Sequence, residues 1–394
     1  MDCELTLSAN RFSLRDMTQR FLIALFLLLL PLPALGQIPE ISTAAKQAVM
    51  VDDRTGQVLF ARDADARMPT SSMSKVMTMI VVFDALKAGE IKLDDRFLVS
   101  EKAWRKGGSK MFVGLDTKVS IEDLIRGVIV QSGNDATIVL AEGLSGSEEA
   151  FADRINEKAK EIGMTSSHFV NASGWPDENH YSTAADLALM ARYLVRTYPE
   201  YYKYYGEESF AYNSIEQQNR NPLLYRDIGA DGIKTGHTEA GGYGLIGSGV
   251  RGGRRVILVV NGLDSETARA QESAKLLEWG LGRFEALALF EKPSVLAQIP
   301  VVDGKVSEVA ARPAQALTLT VPKGSRSKLT FKADYKTPLI APVAAESKIG
   351  VLNIMLGDEV LRQVPLVTAD HVEQAGFFAR TMGKAKRFIG ARGL

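Results

Sequence analysis

The chain has 394 residues, 46% hydrophobic and 24% charged, a balance ordinary for globular proteins and long enough for two domains. Lysine plus arginine equals aspartate plus glutamate at 47 each, so no net field recruits nucleic acid or an acidic polymer. The single cysteine, Cys3, excludes disulfides, and four scattered histidines (His168, His180, His237, His371) match no zinc-ligand spacing, so no metal or cofactor is expected.

In chain order the first feature is apolar. Arg20 precedes Phe21 to Leu30, Pro31 and Pro33 close the run, and Ala34-Leu35-Gly36 supplies small residues before a cleavage point after Gly36. That is the pattern of a secretory signal peptide over residues 1–36, with Met17 as an alternative start. The run falls short of the roughly 20 residues a membrane-spanning helix needs. Cys3 lies upstream of it, so the mature chain is expected to be exported and free of thiols, which suits an oxidising compartment.

A hairpin follows over residues 46–62, with Ala48 to Val51 and Val58 to Phe60 flanking the turn Asp53-Arg54-Thr55-Gly56. Ser72 to Ala88 has helical spacing, placing Val76, Met79, Ile80, Phe83 and Leu86 on one face. Helices are predicted over 121–130, from Asn134 onward, over about 147–163 and over 183–197, with a polar loop from Asn171 to Tyr181. Gly232-Ile233-Lys234 enters a strand, Tyr243 to Val250 and Arg255 to Asn261 form a hairpin, and Ser265 to Leu281 is helical. Clustered helices between strand hairpins predict a mixed α/β (α+β) domain over 37–285 with a central antiparallel sheet. Beyond it, Leu317 to Val321, Ser327 to Ala333 and Val351 to Met355 read as strands of a small all-β domain over 286–368.

The tail, 369–394, reads as an amphipathic helix. Phe377, Phe378, Met382, Ala385, Phe388 and Ile389 fall near one face, with Arg380, Lys384 and Arg387 on the other. A basic helix bearing aromatics suits a membrane interface, although the same pattern also serves a helix packed on the β domain.

Three short motifs carry chemistry: Ser72-Met73-Ser74-Lys75, Ser132-Gly133-Asn134 and Lys234-Thr235-Gly236. Alone each is weak, since Ser325-Arg326-Ser327-Lys328 and Ser8-Ala9-Asn10 repeat the first two patterns. A serine hydroxyl needs a base, and residues three apart on a helix share a face with Cβ atoms about 5–6 Å apart. Lys75 is such a base only when neutral, which requires burial or a second cation such as Lys234. The plainer readings are a helix start with a solvated Lys75, a cap at Asn134, and a polar strand end at Lys234. As an ordered set, the motifs match penicillin-binding proteins and class A β-lactamases.

The chain resembles the serine-type D-alanyl-D-alanine carboxypeptidases, the low-molecular-mass penicillin-binding proteins of peptidase family S11, over about residues 40–390. Beyond the motifs the likeness rests on Gln218-Asn219-Arg220-Asn221, on Asp231 to Thr238, and on Arg269 with Glu272-Ser273. The resemblance implies a serine β-lactamase/DD-peptidase-like domain in which Ser72 is acylated by the penultimate D-Ala of a peptidoglycan stem peptide. Water then hydrolyses the acyl-enzyme, and β-lactams act as covalent inhibitors. It further implies Lys75 as proton acceptor, and Ser132 with Lys234 as the route of a proton to the leaving amine. Asn134 and Gly236 join the substrate contacts, Thr235 with Arg269 or Arg220 holds the terminal carboxylate, and the backbone N–H groups of Ser72 and His237 form an oxyanion hole. The β domain would be a stalk, and the tail would attach the protein peripherally to the outer face of the cytoplasmic membrane. Ser173-Gly174 departs from the His-Gly of some relatives. The rival readings are a D,D-endopeptidase, a weak β-lactamase using Glu178, and a non-enzymatic wall-binding scaffold.

Overall fold

The computed structural model describes residues 40–290 and 294–390, so the predicted signal peptide lies outside the described residues. These residues form two compact units that meet in sequence between Phe284 and Glu285.

The first unit is built on a five-stranded antiparallel sheet. Its order is β2 (Val58–Arg62), β1 (Gln47–Asp52), β9 (Arg254–Leu263), β8 (Gly242–Arg251) and β7 (Ala230–Thr238). Side chains alternate between two cores, as strand geometry requires. Val49, Val51, Ile257 and Val259 enter one core, whereas Ala48, Met50, Val256, Leu258 and Val260 enter the other. One helix, α8 (Glu266–Arg283), closes the second core with Leu276, Leu277 and Leu281.

The opposite face carries α1 (Lys75–Lys87), α3 (Ile121–Ile129), α4 (Asn134–Ser145), α5 (Glu148–Ile162) and α6 (Ala184–Thr197). Most starts are set by side-chain caps. Ser120, Ser147, Thr183 and Ser265 each accept from the backbone N–H three residues on, which fixes where α3, α5, α6 and α8 begin. Gly146 and Gly163 end α4 and α5 in the left-handed conformation. Short elements fill the rim: α2 (Glu101–Arg105), α7 (Pro199–Tyr202), the pair β3 (Arg96–Leu98) with β4 (Lys118–Ser120), and the hairpin β5 (Ser209–Tyr212) with β6 (Ile215–Gln218).

Two expectations need correction. The helix after Ser72 does not bury one face only, because every residue from Lys75 to Phe83 is buried. It runs through the middle of the first core, so helices and sheet cover it on all sides. The third motif does not end its strand either. β7 continues through Thr238, held by pairing of Thr238 with Gly242 on β8, and it is one of the two edge strands of the sheet.

The second unit is all-β before its last helix. β10 (Phe284–Phe290) pairs with β13 (Leu317–Pro322). A six-stranded sheet runs in the order β14 (Leu329–Tyr335), β16 (Lys348–Leu356), β17 (Glu359–Thr368), β12 (Glu308–Pro313), β11 (Ala297–Val302) and β15 (Leu339–Ile340). Ile299, Leu319, Leu352, Ile354, Val364 and Leu366 form its core. The chain then enters α9 (Phe377–Gly390), on which Phe377 and Phe378 are exposed by 69% and 85%. The side chains of Ala385, Phe388 and Ile389 lie outside the described residues. Among the described residues, no helix is long and apolar enough to cross a membrane.

Candidate active site

Ser72 sits in a single 3-10 turn, Ser71–Ser74, that leads directly into α1. Residues three apart eclipse one another in such a turn. That geometry sets Lys75 Nζ 2.8 Å from Ser72 Oγ. Backbone grips the turn from both sides. A Cβ on Gly174, which has φ of +75°, would lie 1.9 Å from the Ser71 carbonyl oxygen. A Cβ on Gly236 would lie 2.9 Å from the Thr70 carbonyl oxygen, so β7 reaches the turn only with glycine there. Ser71 Oγ also donates to Thr238 Oγ1 at 3.0 Å.

Lys75 is wholly buried rather than solvated. Besides Ser72, its amine meets Asn134 Oδ1 at 2.7 Å and the Ser173 carbonyl oxygen at 2.6 Å. Both are acceptors only, and Asn134 is oriented by donating Nδ2–H to the Gly107 carbonyl at 2.9 Å. A neutral amine has two N–H groups for those acceptors and one lone pair, which leaves the lone pair for the Ser72 hydroxyl. Burial favours that neutral form. It lowers the Lys75 pKa to about 7, helped by the nearby charges of Arg220 and Lys106 and opposed by Asp135 and Glu148.

Asn134 is the first residue of α4 and does not cap it, since Gly133 holds the cap position. Next to it, buried Asp135 accepts from Met111, Phe112 and Val113 N–H at 2.9, 2.9 and 3.2 Å, fixing the 107–113 loop against the site. Ser132 precedes α4 with φ of +58° and is 2% exposed. Its hydroxyl makes no hydrogen bond to Lys75 or Lys234 among the described residues.

Lys234 and Thr235 are buried on β7, and Lys234 is 3% exposed. Among the described residues Nζ donates only to the Thr235 carbonyl, at 3.3 Å. Burial first, then repulsion from Lys75, Arg220 and Arg269, pushes the Lys234 pKa well below the usual lysine range. Arg220 lies exposed at the rim, bonded to Ser109 Oγ. Arg269 enters from α8 and is 6% exposed, with Glu266 its sole acidic neighbour among the described residues at 3.7 Å. Its Nε has no hydrogen-bond partner among them, and burial with the Arg220 charge lowers its pKa. The His237 ring stacks on Tyr243 at 3.9 Å, and the Arg269 guanidinium lies 5.6 Å from the same Tyr243 ring. Arg220 and Arg269 line a cavity of about 390 Å³ together with Glu266, and their charges reach Lys234, a cluster of positive charge that favours an anion.

A cavity of about 540 Å³ opens onto Ser72, Asn134, Ser173, Trp175 and His237. Glu178 is exposed and lines a neighbouring cavity beside Arg67 and Tyr181, which shares Gly174, Trp175 and Thr238 with this one. Sequence reasoning missed three participants. Ser173 enters through its carbonyl oxygen, which any residue would supply. Lys106 acts through its charge on Lys75, with its ammonium held 4.2 Å from the ring centroid of Trp175. His180 is buried beneath the turn, donating from Nε2 to Ser74 Oγ at 2.7 Å. Burial lowers its pKa to about 4, so it is neutral.

Comparison with known proteins points the same way. A family model described as D-alanyl-D-alanine carboxypeptidase matches residues 36–265, and one described as the penicillin-binding protein 5 C-terminal domain matches 284–374. The chain is 37% identical over 349 residues to the D-alanyl-D-alanine carboxypeptidase DacC of Escherichia coli K12, covering 86% of this chain and 87% of that protein. The crystal structure of DacD from Francisella tularensis superposes with a TM-score of 0.80 at 33% identity, over 86% of this chain and 96% of that one. Penicillin-binding protein 5 from Haemophilus influenzae gives a TM-score of 0.77 at 35% identity, over 86% and 100%. Penicillin-binding protein D2 from Listeria monocytogenes, solved in its ampicillin-bound form, gives 0.57 at 31%, over 61% and 99%. Since the first match takes in Ser72, Lys75, Ser132 and Lys234 and the relatives align over most of both units, the chain belongs to the S11 peptidase family, the D-alanyl-D-alanine carboxypeptidases.

Proposed function

We propose that the protein removes the terminal D-Ala from peptidoglycan stem peptides through an acyl-enzyme on Ser72, and that β-lactams acylate the same hydroxyl. The observation that carries this reading is the buried amine of Lys75, whose two acceptors leave its lone pair for Ser72. Lys75 takes the hydroxyl proton as Ser72 attacks the penultimate D-Ala carbonyl. The Ser72 and His237 N–H groups hold the developing oxyanion, in keeping with the edge position of β7. Ser132, with Lys234, returns a proton to the leaving amine. Thr235, Arg269 and Arg220 hold the terminal carboxylate, and Asn134 and the close approach allowed by Gly236 align the peptide.

The test is mass spectrometry after brief exposure to benzylpenicillin, followed by peptide mapping. One adduct on the peptide containing Ser72 supports the reading, and an adduct elsewhere refutes it. Digestion of purified muropeptides separates activities: shortened pentapeptides mark a carboxypeptidase, and split dimers mark an endopeptidase. Glu178 lines the neighbouring cavity rather than the Ser72 cavity, and Glu239, which does line the Ser72 cavity, is exposed; neither is the buried glutamate beside the nucleophile that fast deacylation in a β-lactamase uses. Nitrocefin is therefore expected to give one fast burst per enzyme followed by slow turnover. Rapid steady hydrolysis with no burst would contradict this.

We further propose that the protein is exported and attached to the outer face of the cytoplasmic membrane through α9. The exposed Phe377, Phe378 and Met382 support interfacial binding. Truncation after residue 370 is expected to move the protein from the membrane fraction to the soluble one, with penicillin labelling retained. Continued sedimentation with membranes would count against it.

A further inference from the structure

His180 is 4% exposed and touches none of the groups assigned to the reaction, yet it lies one side chain away from them. The Val170 N–H points at its Nδ1 from 3.2 Å, so Nδ1 carries the lone pair and Nε2 carries the proton. Nε2–H reaches Ser74 Oγ at 2.7 Å, and Ser74 Oγ is in turn bonded to Thr70 Oγ1. Phe169 presses edge-on against the ring at 5.4 Å. The charged or titratable groups facing it are Asp177, His168 and Lys75.

These contacts replace the cap that the 3-10 turn lacks. Thr70 occupies the cap position but makes no side-chain bond to the backbone of the turn, because its hydroxyl is engaged by Ser74. The turn that presents Ser72 is therefore fixed at its two ends, Thr70 and Ser74, by a chain running from the Val170 backbone through the imidazole. The same loop supplies the Ser173 carbonyl that holds Lys75, and the Ala172 carbonyl that accepts from Thr78 at 2.6 Å. Imidazole, turn and amine thus form one unit.

We propose that His180 is a positioning residue for acylation, holding Ser72 Oγ on Lys75 Nζ by way of Ser74. The role rests on the assignment of Ser72 as nucleophile. Labelling of the unmodified protein at Ser72 checks that assignment first and separates its failure from failure of the His180 role.

The experiment measures acylation of the full chain by a fluorescent penicillin, resolving the rate constant at saturation from the binding constant. His180→Asn keeps an acceptor for the Val170 N–H but falls short of Ser74. His180→Gln reaches Ser74, and Ser74→Ala removes the partner. The expected result is a loss of about ten- to a hundredfold in the acylation rate constant for His180→Asn and for Ser74→Ala, with binding little changed. Their combination loses no more than either alone, because both break one contact. His180→Gln restores most of the rate. Unchanged rates in both single variants, additive losses in the pair, or equal losses for Asn and Gln would overturn the role. Should His180→Asn fail to fold, the Ser74→Ala and His180→Gln results decide.

Discussion

Lys75→Met is expected to slow acylation of Ser72 by benzylpenicillin by about a thousandfold, within the range attributed to a positioned general base. Methionine nearly matches the lysine stem and removes an amine buried among Lys234, Arg220 and Lys106, so folding should survive. What is lost is the one lone pair directed at Ser72 Oγ. The pH dependence has a definite sign. Below about 7 the amine of Lys75 is charged and cannot accept a proton, so acylation by the native protein rises as pH rises through about 7. The residual rate of Lys75→Met should lack that rise, and Ser72→Ala should lose labelling altogether. A native rate flat between about pH 5.5 and 8.5, or Lys75→Met acylating at the native rate, would sink the assignment.

Arg269→Gln is expected to lower kcat/KM about a hundredfold for a peptide ending in a free D-Ala carboxylate, and to change little for its C-terminal amide. The guanidinium is buried, its Nε lacks a partner among the described residues, and Glu266 at 3.7 Å only partly neutralises it. Truncating one side of a desolvated charge pair costs about 2–5 kcal/mol, and each 1.4 kcal/mol is about tenfold. Arg220 is a different case. It lies at the rim and its charge depresses the pKa of Lys75 directly, whereas Arg269 does not. Arg220→Gln should therefore move the midpoint of the acylation profile upward, and Arg269→Gln should leave it in place. Initial rates on matched acid and amide peptides across pH check both statements. Equal losses on acid and amide would place the carboxylate elsewhere.

Much of this site was legible in the sequence because its chemistry needs particular side chains. Ser72, Lys75, Asn134 and Lys234 were each marked by type and spacing, Arg269 only by the family resemblance, and the helices capped by Ser120, Ser147, Thr183 and Ser265 begin close to where the pattern places them. The rest was hidden for physical reasons. Ser173 contributes a carbonyl, and every residue has one. His180 acts through Ser74, a partner 106 residues away that no local pattern connects to it. The rim pairs β3–β4 and β5–β6 have strands of three and four residues, too short for periodicity to register. The helix after Ser72 misled by simple burial: its hydrophobic residues run all round because the core surrounds it.

Gly174 and Gly236 leave the protein little freedom to evade β-lactam capture at its centre. A methyl group at either would collide with the carbonyl oxygen of Ser71 or Thr70 and dislodge the hydroxyl used on natural peptides as well. Selection by antibiotic therefore has to act on the periphery. The 107–113 segment is the partly exposed candidate, since Asn213 and Gln217 hold Phe112 and Lys110 through side chains at the surface that can be exchanged, whereas the buried Asp135 cannot.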